Sequence, residues 1–94
     1  MFLVKTEYDL NPGHRCKVNY SPITSNWYDC KAAAEKLGYR GDSVAHVAYR
    51  YQWGTRRPQG CFRSTGNGRF HFNVGRGGNS LWGDKILCKL NFLW

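Results

Sequence analysis

Apolar positions recur with helical spacing in one stretch of this chain and alternate with polar ones in most of the rest, which predicts a single helix among strands. Trp27, Cys30, Ala34 and Leu37 are separated by three, four and three positions and so share one helical face. Ser25 is the expected cap, Asp29 falls in the first turn, alanines fill the middle, and Gly38 supplies the left-handed stop. Early strands are predicted over Phe2 to Tyr8 and Cys16 to Tyr20, parted by a turn at Asn11-Pro12-Gly13. Val44 to Trp53 alternates as a further strand, with Val44, His46 and Ala48 opposed to a bulkier set. Cys61 to Ser64 and Arg69 to Val74 flank Thr65-Gly66-Asn67-Gly68 as a hairpin, with Phe70, Phe72 and Val74 on one side and Arg69, His71 and Asn73 on the other. Lys85 to Leu93 closes the chain as an apolar strand. The pattern therefore predicts one α+β domain over residues 1–94, its helix packed on a small, mainly antiparallel sheet.

A chain of 94 residues buries a modest share of its surface, so covalent staples would help to hold it. Its four cysteines, Cys16, Cys30, Cys61 and Cys88, are well separated, which favours two disulfides and a secreted, extracellular protein. None of their spacings matches a structural zinc site, and no metal or other cofactor is expected. Met1 to Val4 is too short for a signal peptide, and no apolar run is long enough to span a bilayer. Pro22, directly after Asn19-Tyr20-Ser21, disfavours glycosylation there.

Charge changes the picture most. Lys and Arg number 14 against 6 Asp and Glu, a formal net charge of +8. Between Ser43 and Gly83 there is no acid and no lysine, but there are Arg50, Arg56, Arg57, Arg63, Arg69 and Arg76, interleaved with aromatic residues that include Tyr51, Trp53 and Trp82. Guanidinium groups grip carboxylate, sulfate and phosphate through a planar fork of donors, and aromatic faces suit sugar rings. Together with His71, these residues form the expected ligand-binding set of a non-catalytic cationic module. Its expected partner is an anionic polysaccharide or an acidic microbial or cell surface, in keeping with an antimicrobial, defence-related role. Single-stranded nucleic acid is a second expected partner, since arginines contact phosphate and exposed rings stack on bases.

Enzymatic chemistry has little to draw on. A glycosidase needs two facing carboxyls; Glu35 and Asp42 are the pair to weigh, but Glu35 reads as an exposed helix residue and Asp42 as part of a turn. A thiol nucleophile beside His46 or His71 would require a cysteine that is better used as a bridge. Gly75-Arg76-Gly77-Gly78 lacks the sequence of a nucleotide-binding loop and reads as a plain loop. Arg40-Gly41-Asp42-Ser43 matches an integrin-recognition tetrapeptide after the helix stop, which gives an adhesive alternative. Arg56-Arg57-Pro58 could stand on a protease-inhibitor loop, except that Pro58 obstructs cleavage.

A cysteine on the first helix, Arg57-Pro58-Gln59-Gly60-Cys61, and a terminal Leu87-Cys88-Lys89 resemble the layout of C-type-lectin-like and Link modules. That resemblance implies a lectin-like, carbohydrate-binding fold and pairs Cys30 with Cys88 and Cys16 with Cys61. The chain lacks the calcium signatures of those lectins, and its acid-free segment offers no carboxylate ligands, so calcium-dependent sugar binding is not expected. Cys30-Lys31-Ala32-Ala33, Pro58-Gln59-Gly60-Cys61, Phe72-Asn73 and Cys88-Lys89 are also similar to a small secreted module of marine eukaryotes, a resemblance that implies secretion but no activity.

Overall fold

A computed structural model describes residues 7–45, 48–50, 53, 55–80 and 83–91, with 48–50 described by their backbone. Strands β1 (Tyr8–Pro12) and β2 (Tyr20–Pro22) precede helix α1 (Trp27–Lys36) and a short 3-10 turn at Gly41–Ser43. Strands β3 (Ala48–Arg50), β4 (Gly60–Arg63), β5 (Phe70–Asn73) and β6 (Lys85–Leu90) follow. All six strands join one sheet in the order β1-β6-β4-β5-β3, with β2 also paired to β6. Every pairing is antiparallel except β3 with β5. One helix on a mainly antiparallel sheet is the fold that the hydrophobic pattern predicts.

Helix α1 turns its predicted face inward. Cys30, Ala33 and Ala34 are fully buried, while Trp27 and Leu37 are partly buried against Ile23, Val44, Cys61, Phe70, Phe72 and Leu87. Small alanine side chains let the helix approach the sheet closely. The cap is Asn26, whose side chain accepts the amide of Asp29 at 2.8 Å, whereas Ser25 donates to the Asp29 carboxylate at 2.5 Å. Gly38 takes the expected left-handed conformation, φ 97°.

Side chains alternate along each strand, so the sheet has two differently covered faces. Cys61, Phe70, Phe72 and Leu87 look toward the helix; the alternate positions Phe62, His71, Asn73, Ile86 and Cys88 look away from it. This alternation corrects the expected disulfides. The bridges are Cys16–Cys88 and Cys30–Cys61, not Cys30–Cys88 and Cys16–Cys61. Cys88 sits on the sheet face that the helix does not cover, out of reach of Cys30, whereas Cys61 lies directly beneath α1.

Several strand boundaries also move. Residues 16–19 form a connection, and the strand begins at Tyr20, where the chain pairs with Leu90. The chain remains extended through Pro12, which pairs with Lys85 at the sheet margin, and turns at Gly13, φ 96°. Val44 is not in a strand: it ends the 3-10 turn and is buried beneath the helix. Of the first predicted strand, Glu7 lies just before β1 and Tyr8 opens it, while residues 2–6 lie outside the described residues.

Candidate functional site

The arginine-rich half of the chain builds the sheet region around β4 and β5, and the two faces dispose of its cations differently. On the face away from the helix, Trp53 packs edge-on to both Phe62 and His71, with ring centroids 5.3 Å apart in each case. The Arg57 guanidinium lies 5.5 Å from the Trp53 ring and 5.4 Å from that of Phe62. Its Nε stands 3.4 Å from Oδ2 of Asp84. Asn73, fully buried, donates to the backbone oxygen of Arg57 and accepts the amide of Gly75. One side chain thereby fastens both the segment bearing Arg56 and Arg57 and the segment bearing Arg76 to the end of β5. Gly77 seals this join: a Cβ there would stand 2.3 Å from the Gln59 nitrogen.

Arg63 points to the helix side instead. Its Nε donates to the Gly68 oxygen at 3.1 Å, and its guanidinium lies 5.0 Å from the centre of the Tyr39 ring. The six arginines thus do not share one patch. Arg57 and Arg63 occupy opposite faces and are partly buried; Arg56, Arg69 and Arg76 are solvent-exposed. Arg69 leaves the hairpin turn, at the opposite end of the β4–β5 pair from Arg56 and Arg76. Trp53 and His71 are half-buried, and His71 packs against Trp53 and Phe62, the two rings over which Arg57 lies. Tyr51 and Trp82, the side chain of Arg50, and His46 lie outside the described residues.

Sequence reasoning missed Asp84. It stands just beyond the acid-free segment, yet strand pairing returns it to the start of β6, where its side chain is completely buried beside Arg57. Burial raises its carboxyl above the ordinary value of 3.8, and the Arg57 charge opposes that rise. The alternation of β6 was the available signal, since Asp84 falls in phase with Ile86 and Cys88.

The adhesive tetrapeptide is exposed from Arg40 to Asp42, but Arg40 folds back on α1. Its Nη1 donates to the oxygens of Glu35 and Tyr39 at 2.6 and 2.8 Å, satisfying the helix end. Glu35 is half-buried rather than exposed, and Asp42 is exposed on the 3-10 turn. Helix α1 is too short to cross a bilayer, and among the described residues no helix is long and apolar enough to do so.

A concavity lies between the start of α1 and strands β1, β2 and β6. It encloses about 450 Å³ and is bordered by Tyr8, Ser21, Ile23, Asp29, Lys89 and Asn91, among others. Tyr8 and Ser21 are both register partners of Lys89, so phenol, ammonium and hydroxyl form a row across three strands. In a search of known proteins, no family model, no curated protein and no solved structure matches this chain.

Proposed function

We propose that this protein is a secreted, non-catalytic cationic module that binds anionic glycans or acidic microbial or cell surfaces. The observation that carries this reading is the excess of eight positive charges on a small disulfide-tied domain, with Arg56, Arg69 and Arg76 exposed from a segment that contains no acid. A cation excess that the chain's own acids cannot offset favours acidic partners. Exposed arginines at both ends of the β4–β5 pair suit a long polyanion better than a small one, because an extended chain can touch separated charges at once. Arg57, stacked between rings and paired with Asp84, supports the surface rather than contacting the ligand.

The two bridges support secretion, since small domains with two disulfides persist in oxidising compartments. Base stacking by Trp53 has less support, because that ring packs on Phe62, His71 and Arg57. The adhesive reading likewise has less support with Arg40 bonded to helix carbonyls. An array of sulfated, uronic-acid and neutral glycans together with single-stranded DNA and RNA, probed at low and physiological salt, tests the assignment. Retention of sulfated and uronic-acid polymers that weakens at the higher salt is expected; preference for nucleic acid, or no retention, overturns it.

A further inference from the structure

We propose that the cleft between the start of α1 and strands β1, β2 and β6 is a second binding site, one that takes a neutral saccharide or similar polyol of one or two rings. The volume, about 450 Å³, falls within the range of roughly 300–1,000 Å³ typical of small-molecule sites.

One wall is the row made by strand pairing: Tyr8 on β1, Lys89 on β6 and Ser21 on β2, all on the helix-facing side. The opposite wall is the first turns of α1, which present Asp29 and the small side chain of Ala32. Ile23 gives the cleft an apolar element. Several polar groups are already fixed by local bonds. Ser25 donates to the Asp29 carboxylate, which also receives the Asn26 amide group, and Ser21 donates to the Asn91 side chain. Each bond holds a polar group in place and leaves further lone pairs or protons for a ligand. A sugar ring needs that combination, with fixed donors and acceptors around its rim and an apolar or aromatic surface against its face.

The charges argue for a neutral ligand. Among the described residues that line the cleft, Lys89 is the one cation and Asp29 the one carboxylate, while Glu7 lies close enough to influence the Tyr8 phenol along with Asp29. In a protein of net charge +8 this is a locally balanced place, so an anion gains little here. Burial and the two carboxylates push the Tyr8 phenol above its ordinary value, so it stays a neutral hydroxyl like those of Ser21 and Ser25. The sheet order places this cleft around β1, β2 and β6, away from the β4–β5 region that carries the exposed arginines.

The test is titration of the intact disulfide-bonded protein with N-acetylglucosamine, mannose, galactose, maltose and, as a charged control, glucuronic acid, followed by backbone amide NMR shifts. At least one neutral sugar is expected to give saturable millimolar shifts centred on Asp29, Ala32, Lys89 and Asn91. Lys89→Ala should weaken that binding about tenfold by removing a charged donor, and Ala32→Trp, at an exposed helix position, should block it while leaving the remaining spectrum intact. Absence of saturable shifts with every neutral sugar overturns the proposal, as does binding unaffected by Lys89→Ala or a preference for glucuronic acid. Neither variant removes an arginine, so failure here is separable from failure of polyanion binding.

Discussion

Arg57 and Asp84 form an ion pair lying almost wholly inside the protein, their side chains 17% and 0% exposed, with the guanidinium laid across the Phe62 ring. The pair joins the loop before β4 to the residue that immediately precedes β6. Its two members are not equivalent. Burial raises the Asp84 carboxyl above 3.8 and Arg57 pulls it back, so between 3.8 and the raised value the folded protein holds more protons than the unfolded chain. The contribution of Asp84 to stability is therefore greatest below 3.8 and declines as pH rises through that window.

Arg57→Ala should then destabilise strongly at neutral pH, by about 3 kcal/mol, because a buried carboxylate loses its counter-charge. The loss should shrink on acidification toward 3.8 as Asp84 takes up a proton. Adding Asp84→Asn to Arg57→Ala should recover most of it at neutral pH. Urea denaturation across the pH range measures all three effects, and a gap between wild type and Arg57→Ala that does not vary with pH contradicts them.

The two disulfides close separations of 72 and 31 residues. Chain-entropy arguments give roughly 4 kcal/mol for each, a large fraction of the stability of so small a domain. Reduction should abolish cooperative unfolding, and replacing either pair by alanine should lower the melting temperature sharply. Tryptic mapping without reductant should recover Cys16 joined to the peptide of Cys88, and Cys30 joined to that of Cys61.

Gly60 begins β4 at φ 77°, and its place is confined by the chain before the helix. A Cβ there would stand 2.2 Å from the Ile23 oxygen, the same oxygen that accepts the Cys61 amide at 3.0 Å. Gly60→Ala should cost at least about 2 kcal/mol, combining left-handed strain with displacement of that bond. Gly13→Ala, with φ 96° but open space around it, should cost less. Comparative thermal melts decide between them.

Helix capping gives a finer comparison. Asn26→Ala should cost about 1 kcal/mol, since it removes the acceptor of the Asp29 amide. Ser25→Ala should cost less, because Ser25 bonds to a side chain rather than to an orphan amide. Guanidinium melts of the two variants would show the order.

The helix, its buried face and the β4–β5 hairpin were legible because they rest on local signals: periodicity, Gly38 and the Thr65–Gly68 turn. The disulfide map was not legible in that way. It depends on which sheet face each strand cysteine occupies, and Cys61 and Cys88 lie on opposite faces only once β4 and β6 pair through Phe62 and Ile86. The candidate site was legible only in part, for a related reason. Counting charges along the chain found the arginines but could not show that Arg57 meets Asp84, 27 positions away, or that Arg63 turns to Tyr39. The cleft was also invisible, because the Tyr8, Lys89 and Ser21 row exists only across three paired strands.

The most direct measurement of polyanion binding is the salt dependence of affinity for a heparin-type polysaccharide, compared between wild type and the Arg56→Ala, Arg69→Ala, Arg76→Ala triple variant. Counterion release makes the logarithm of affinity fall linearly with that of salt concentration, with a slope that drops by on the order of one for each contacting arginine removed. The account predicts a steep slope for wild type and a shallower one, with weaker binding, for the triple variant, each measured on protein shown to be folded. Identical slopes for the two proteins, or wild-type affinity indifferent to salt, would contradict it.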